Sequence, residues 1–228
     1  MSILEMKNTL KNQPIPTYSK GEELFNWVSH IIGMAFGLVV LGLAIAASII
    51  GQFTPIQCIS LIFYAITIIV LYGNSTIYHA LPKDSTWKRL FRLIDHNTIY
   101  LLIAGTYAPI CAFAFGTSNI GLIIFLVQIV GLLIGTILNV CNLNGKITKV
   151  VTVILYVVMG WAIMFYWPAM TMLPIASMIL ILLGGISYTA GVGFYAAGKK
   201  KKWMHSIFHL FVLIGTILQF IGIVFIII

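Results

Sequence analysis

Six side chains stand out for the chemistry they could do in a very apolar chain: His30, His79, His96, His205, His209 and Asp95. His205 and His209 are four residues apart, so on a helix both rings project from one face. Ser75 and His79 share a face in the same way. Two imidazoles one turn apart make a bidentate clamp for a metal ion, and a third from another helix gives three protein ligands. Three nitrogen ligands plus a water is the arrangement of a catalytic zinc site. Zinc lowers the pKa of its water to about 7. The residue after His205 is Ser206, so no glutamate base sits between the paired histidines. Asp95 is the candidate for moving the proton, and Ser75 for orienting the water or polarising a carbonyl.

Blander readings stand beside these. A histidine near a membrane interface is ordinarily a wetted side chain, which is the reading for His96. His30 is open between the two, because Asn26 and Ser29 flank it. Asp95 has a competing ion-pair partner in Arg92, one turn earlier.

The elements that must position these groups follow from composition. The chain of 228 residues is 61% hydrophobic and 8% charged, against about 25% charged in soluble domains. Lipid must therefore be its main solvent. Seven runs have the length of a membrane span (about 20 residues): 25–51, 56–81, 89–115, 119–141, 147–167, 174–197 and 203–227. Gly and Pro punctuate most of the breaks. The runs are continuous rather than alternating, which excludes a transmembrane barrel. The expectation is an all-α membrane protein, a seven-transmembrane-helix bundle over 23–228 after a short polar segment at 1–22. The first apolar run is too long for the core of a cleavable signal peptide. Cys58, Cys111 and Cys141 show no ligand-like spacing, and no disulfide framework is expected.

The formal net charge of +8 does not point to nucleic acid, because the cations lie only in connecting segments. Lys7, Lys11 and Lys20 precede the first span. Lys83, Lys88, Arg89 and Arg92 accompany the second connection, Lys146 and Lys149 the fourth, and Lys199 to Lys202 the sixth. The alternate loops hold none. The positive-inside rule then puts the N-terminus in the cytoplasm and the C-terminus outside. The lysine run at 199–202 serves as an orientation anchor. With this topology all five histidines and Asp95 fall in the cytoplasmic half of the bundle. Gly33-x-x-x-Gly37 and Gly131-x-x-x-Gly135 allow close helix contact, and Tyr18, Trp27, Trp87, Trp161, Trp167 and Trp203 suit the aromatic belts. No internal repeat is visible, and seven spans fit poorly with two inverted halves.

Several short motifs occur in order: Glu23-x-x-Asn26-x-x-Ser29-His30, Ser75-x-x-x-His79, Asp95-His96 running on to Gly105-Thr106-Tyr107-Ala108-Pro109, and His205-x-x-x-His209. Together they resemble the hemolysin III family, the bacterial branch related to the progestin and adipoQ receptors, from about residue 20 to the end of the chain. The resemblance implies zinc held by His79, His205 and His209, with Asp95 and Ser75 as the family's acid and serine. It leaves Glu23, Asn26, Ser29, His30 and His96 as supporting residues. Alkaline ceramidases belong to the wider superfamily, so the resemblance implies a zinc-dependent hydrolase of a lipid amide or ester in a bacterial plasma membrane, with membrane lipids as partners. The family's name implies the rival: a non-enzymatic protein, pore-forming or regulating membrane lipid state, with structural zinc. A pore wants polar residues through the full depth of several helices, and the outer halves here are nearly all apolar. Bis-histidine haem prefers ligands from facing helices. A rhodopsin-like receptor is disfavoured by the cytoplasmic N-terminus and by a seventh span without an interior lysine.

Overall fold

The computed structural model describes residues 15–116, 118–198 and 201–228. Among these it is helical, without strands. Helix α1 (Lys20–Ile50) starts at Ser19, whose hydroxyl accepts from Glu22 N while Glu22 Oε2 accepts from Ser19 N. This reciprocal cap satisfies donors that a helix start otherwise leaves open, and it sets the helix start five residues before the expected span. Helix α2 (Pro55–Ala80) opens with Pro at its first position, where a missing N–H costs nothing.

Helix α3 (Thr86–Ile110) is the central element: 72% of its apolar window is buried, against 22–44% for the other long helices. Pro109 interrupts its hydrogen-bond ladder, and the chain continues as a π-helical turn, Cys111–Phe115. Gly116 then turns with φ of 55°, a region that favours glycine. Helices α4 (Asn119–Asn142), α7 (Ile175–Ala197) and α8 (Met204–Ile227) follow the expected runs closely.

The fifth run differs. The sequence pattern predicts one span over 147–167, but helix α5 (Lys146–Gly160) has 15 residues, about 22 Å. The chain then passes into a 3₁₀ turn, Ala162–Phe165, and a short helix α6 (Trp167–Thr171). The cause is a tertiary contact. Tyr107 of α3 donates to Gly160 O at 3.0 Å and accepts from Ile163 N at 3.1 Å, so it takes up two backbone groups that a continuous helix would have paired. Six helices among the described residues are thus long and apolar enough to cross a membrane.

The most extensive helix contacts are between α1 and α2, α2 and α3, and α7 and α8, and α8 also touches α1. Gly37 is where α1 and α2 close up: a Cβ there would stand 2.8 Å from Ile68 Cγ2 and 3.1 Å from the Ile69 backbone nitrogen. Gly33 faces the Tyr72 ring, and Gly131 and Gly135 face Met159 and Tyr100. Both small-residue motifs therefore serve contacts within the chain. The three cysteines are free.

One end of the bundle is tied together by polar bonds. Trp203 N donates to Glu22 Oε1 at 2.7 Å, joining the starts of α8 and α1. Lys88 Nζ donates to Leu81 O at 2.9 Å, and Arg92 to Asn144 Oδ1 at 3.1 Å. The segments carrying Lys20, Lys83, Lys88, Arg89, Lys146, Lys201 and Lys202 therefore gather at this end. Lys7, Lys11, Lys199 and Lys200 lie outside the described residues. The opposite faces of the long helices are apolar and exposed, as at Leu38, Ile49, Ile137 and Ile186.

Candidate metal centre

His79, the last turn of α2, and His205 and His209, the first turns of α8, converge just inside the cation-rich end. All three are buried, and each offers a ring nitrogen within 4.8 Å of the other two. His79 Nε2 and His205 Nε2 are 3.4 Å apart. Ligands of a tetrahedral zinc at 2.0–2.1 Å stand roughly 3.3–3.4 Å from one another, so this separation matches a shared ion. His209 Nε2 is buried with no hydrogen-bond partner. An unsatisfied buried nitrogen is costly, and a metal is the partner the other two rings would share. Three histidines are therefore close enough to hold a metal ion.

Helix α1 supplies the surroundings. Glu23 Oε2 is 2.6 Å from His79 Nδ1. A carboxylate there holds the ring proton on Nδ1 and leaves the Nε2 lone pair facing the cluster. The other oxygen, Glu23 Oε1, accepts from Lys88 Nζ at 3.0 Å. Lys88 is only 1% exposed and lies over the Tyr78 ring. Asn26 Nδ2 is 3.4 Å from His79 Nδ1, and its Oδ1 accepts from Ser206 of α8 at 2.7 Å. Ser29 spends its hydroxyl on Asn26 O. His30 Nε2 is hydrogen-bonded to His209 Nδ1, with the two rings edge to face. Tyr18, just before α1, stacks on the His205 ring at 4.7 Å between centroids. Burial pushes its hydroxyl above the usual phenol range, so it covers the cluster as a neutral ring.

Asp95 and His96 stand on the wall of a cavity bounded by α3, α5, α7 and α8, which His30, His205 and His209 also line. His96 Nδ1 is 3.8 Å from Asp95 Oδ2, and His96 itself is not one of the three clustered rings. Ser75 is buried one turn before His79, and its hydroxyl has no partner. The cavity wall is otherwise largely apolar, with Ile99, Leu102, Val153 and Val212 among its residues.

Sequence reasoning missed two buried polar clusters. Asn139 of α4 donates to Asn97 Oδ1 at 2.9 Å and accepts from Thr152 of α5 at 2.9 Å. Tyr72 and Tyr188 share Thr216 Oγ1, at 2.8 and 3.0 Å. The signal for the second was present: Thr216 lies seven residues after His209, hence on the same face of α8. Tyr18, which its position suits to an aromatic belt, instead covers the His205 ring.

The range that matches a known family takes in every residue of this cluster. Residues 18–220 match the family described as Haemolysin-III related. A relative named Hemolysin-3 homolog, from Bacillus subtilis (strain 168), is 32% identical over 207 residues, covering 90% of this chain and 93% of that protein. One named Hemolysin-3, from Bacillus cereus, is 31% identical over 214 residues, covering 90% and 91%. The match begins at Tyr18, the residue stacked on the histidine cluster, and takes in both turns of α8 that carry it: the chain belongs to the haemolysin III family.

Proposed function

We propose that the protein is a zinc-dependent hydrolase of a lipid amide or ester, embedded in a bacterial plasma membrane. The observation that carries this is His209 Nε2, a buried and unpartnered nitrogen beside two imidazoles at ligand-like separation. His79, His205 and His209 would hold the ion. Zinc there would supply a water acidic enough to act as a nucleophile near neutral pH.

The chain's own groups divide the remaining work. Asp95, on the cavity wall with His205 and His209, accepts the proton of the attacking water and returns it to the leaving group. Ser75 has a hydroxyl free to orient the water or donate to the substrate carbonyl. The apolar wall of the cavity takes the acyl chain. Helices α5 and α7 both line it but touch each other only sparsely, so the gap between them is the entry from lipid. In this reading the chain crosses the membrane seven times, α5 and its 3₁₀ turn forming the fifth crossing, with the cation-rich end and the N-terminus in the cytoplasm.

The names of the Bacillus relatives support a second reading, a haemolysin or membrane regulator in which the metal is structural. One set of experiments separates the two: metal content of the purified protein, turnover of lipid amides and esters by wild type and Asp95→Ala, and dye release from proteoliposomes. Stoichiometric zinc with turnover lost in Asp95→Ala is the expected result. Zinc without turnover of any lipid class, together with dye release, would establish the second.

A further inference from the structure

We infer that His30 is a positioning residue for the metal centre: it holds His209 in the tautomer whose Nε2 faces the metal. The inference rests on the metal reading of the three histidines and not on hydrolysis.

The His30–His209 contact has one place for a proton between two nitrogens, His30 Nε2 and His209 Nδ1. If His30 Nε2 carries it, His209 Nδ1 accepts, and the proton of neutral His209 sits on Nε2. That nitrogen then cannot ligate. If His209 Nδ1 carries it, His209 Nε2 keeps its lone pair and His30 accepts. Only the second arrangement is compatible with metal. His30 Nδ1 then bears a hydrogen that has no protein partner, leaving a donor for a water or ligand. His30 is itself fixed, 2% exposed and packed against the Tyr72 ring at 5.2 Å.

Glu23 does for His79 what His30 does for His209, and Tyr18 stacks on the remaining ligand ring. Within the motif Glu23-x-x-Asn26-x-x-Ser29-His30, Glu23 and His30 thus touch the ligand rings, while Asn26 ties α1 to Ser206 of α8. Helix α1 contributes no ligand but orients them. Substituting such an outer partner costs about 10–100-fold in metal affinity.

The test compares wild type, His30→Leu and His30→Gln as purified full-length protein, with zinc affinity by chelator competition and the visible spectrum of the cobalt-loaded form. Leucine removes the acceptor; glutamine restores one through its carbonyl. We expect about 10–100-fold weaker binding and an altered cobalt band in His30→Leu, with His30→Gln recovering most of both. Nitrogen-15 histidine spectra of chelator-stripped wild type should place the His209 proton on Nδ1, a readout independent of any variant's folding. Unchanged affinity in His30→Leu, an equal loss in His30→Gln, or a His209 proton on Nε2 overturns the inference. Wild type that binds no metal removes the metal reading as well.

Discussion

Replacing Glu23 by alanine should separate the metal centre from its support. Glu23 accepts from His79 Nδ1 at 2.6 Å and from Lys88 Nζ at 3.0 Å. Without it, Asn26 Nδ2, at 3.4 Å, is the hydrogen-bonding group left beside His79 Nδ1. The Asn26 oxygen accepts from Ser206, so the amide nitrogen stays turned to His79 unless the Ser206 hydroxyl reverses from donor to acceptor. An amide N–H asks His79 Nδ1 to accept, which drives the ring proton to Nε2 and removes the ligand lone pair. Outer-partner losses of 10–100-fold in affinity correspond to about 1.4–2.7 kcal/mol. Separately, Lys88 is left buried with only the carbonyls of Leu81 and His79 as acceptors, at 2.9 and 3.4 Å. An ammonium that loses its buried partner destabilises by about 3–5 kcal/mol, and those carbonyls bring the figure to the low end. Adding Lys88→Met should restore most of the stability and none of the affinity. Thermal unfolding of the stripped protein reads the first, chelator competition the second. Wild-type zinc affinity in Glu23→Ala would refute the tautomer argument. Affinity that returns together with stability in the double variant would show that the loss was only unfolding.

Three further outcomes are expected. Ser75→Ala should not lower thermal stability, since the buried hydroxyl it removes has no partner, while lipid turnover falls; a large drop in Tm would make Ser75 structural. Gly37→Ala should lower Tm in detergent, because its Cβ would meet Ile68 Cγ2 at 2.8 Å and the Ile69 backbone, at about 1–3 kcal/mol for overpacking; an unchanged Tm contradicts the close α1–α2 approach. Tyr107→Phe should speed hydrogen exchange between Gly160 and Tyr166, since Gly160 O and Ile163 N lose their shared partner, at about 1–3 kcal/mol; unaltered exchange means another contact breaks α5.

The site was legible where its chemistry follows helix periodicity. His205 and His209 share a face by spacing alone, and Ser75 with His79 likewise. The motif on α1 could be seen as a motif, but its job could not, because Glu23 and His79 meet across 56 residues and His30 and His209 across 179. Helix ends marked by Gly or Pro came out where composition placed them, as at Gly51–Pro55. The end of α5 did not, because Gly160 is a single glycine in a run that continues apolar, and what holds the freed backbone groups there is a tyrosine from α3. The buried amides Gln128 and Asn139 were invisible for a related reason. A lone polar residue in an apolar run shows its depth only when its partners, Met159 and Thr152, are known.

The order in which the chain is made gives the junction of α1 with α8 another meaning. Glu23, His79 and Lys88 all lie in the first three helices, so one ligand and its clamp can assemble early. The other two histidines are on α8, and at about 5–20 residues per second the stretch between Lys88 and His205 takes roughly 6–23 s to synthesise. Through that interval only one of the three histidines has been made. In the folded bundle α8 meets α1 at three places, Trp203 on Glu22, Ser206 on Asn26 and His209 on His30. The three-histidine cluster therefore exists only in a bundle whose late helix has reached its early one, and its occupancy would serve as a mark of completed assembly.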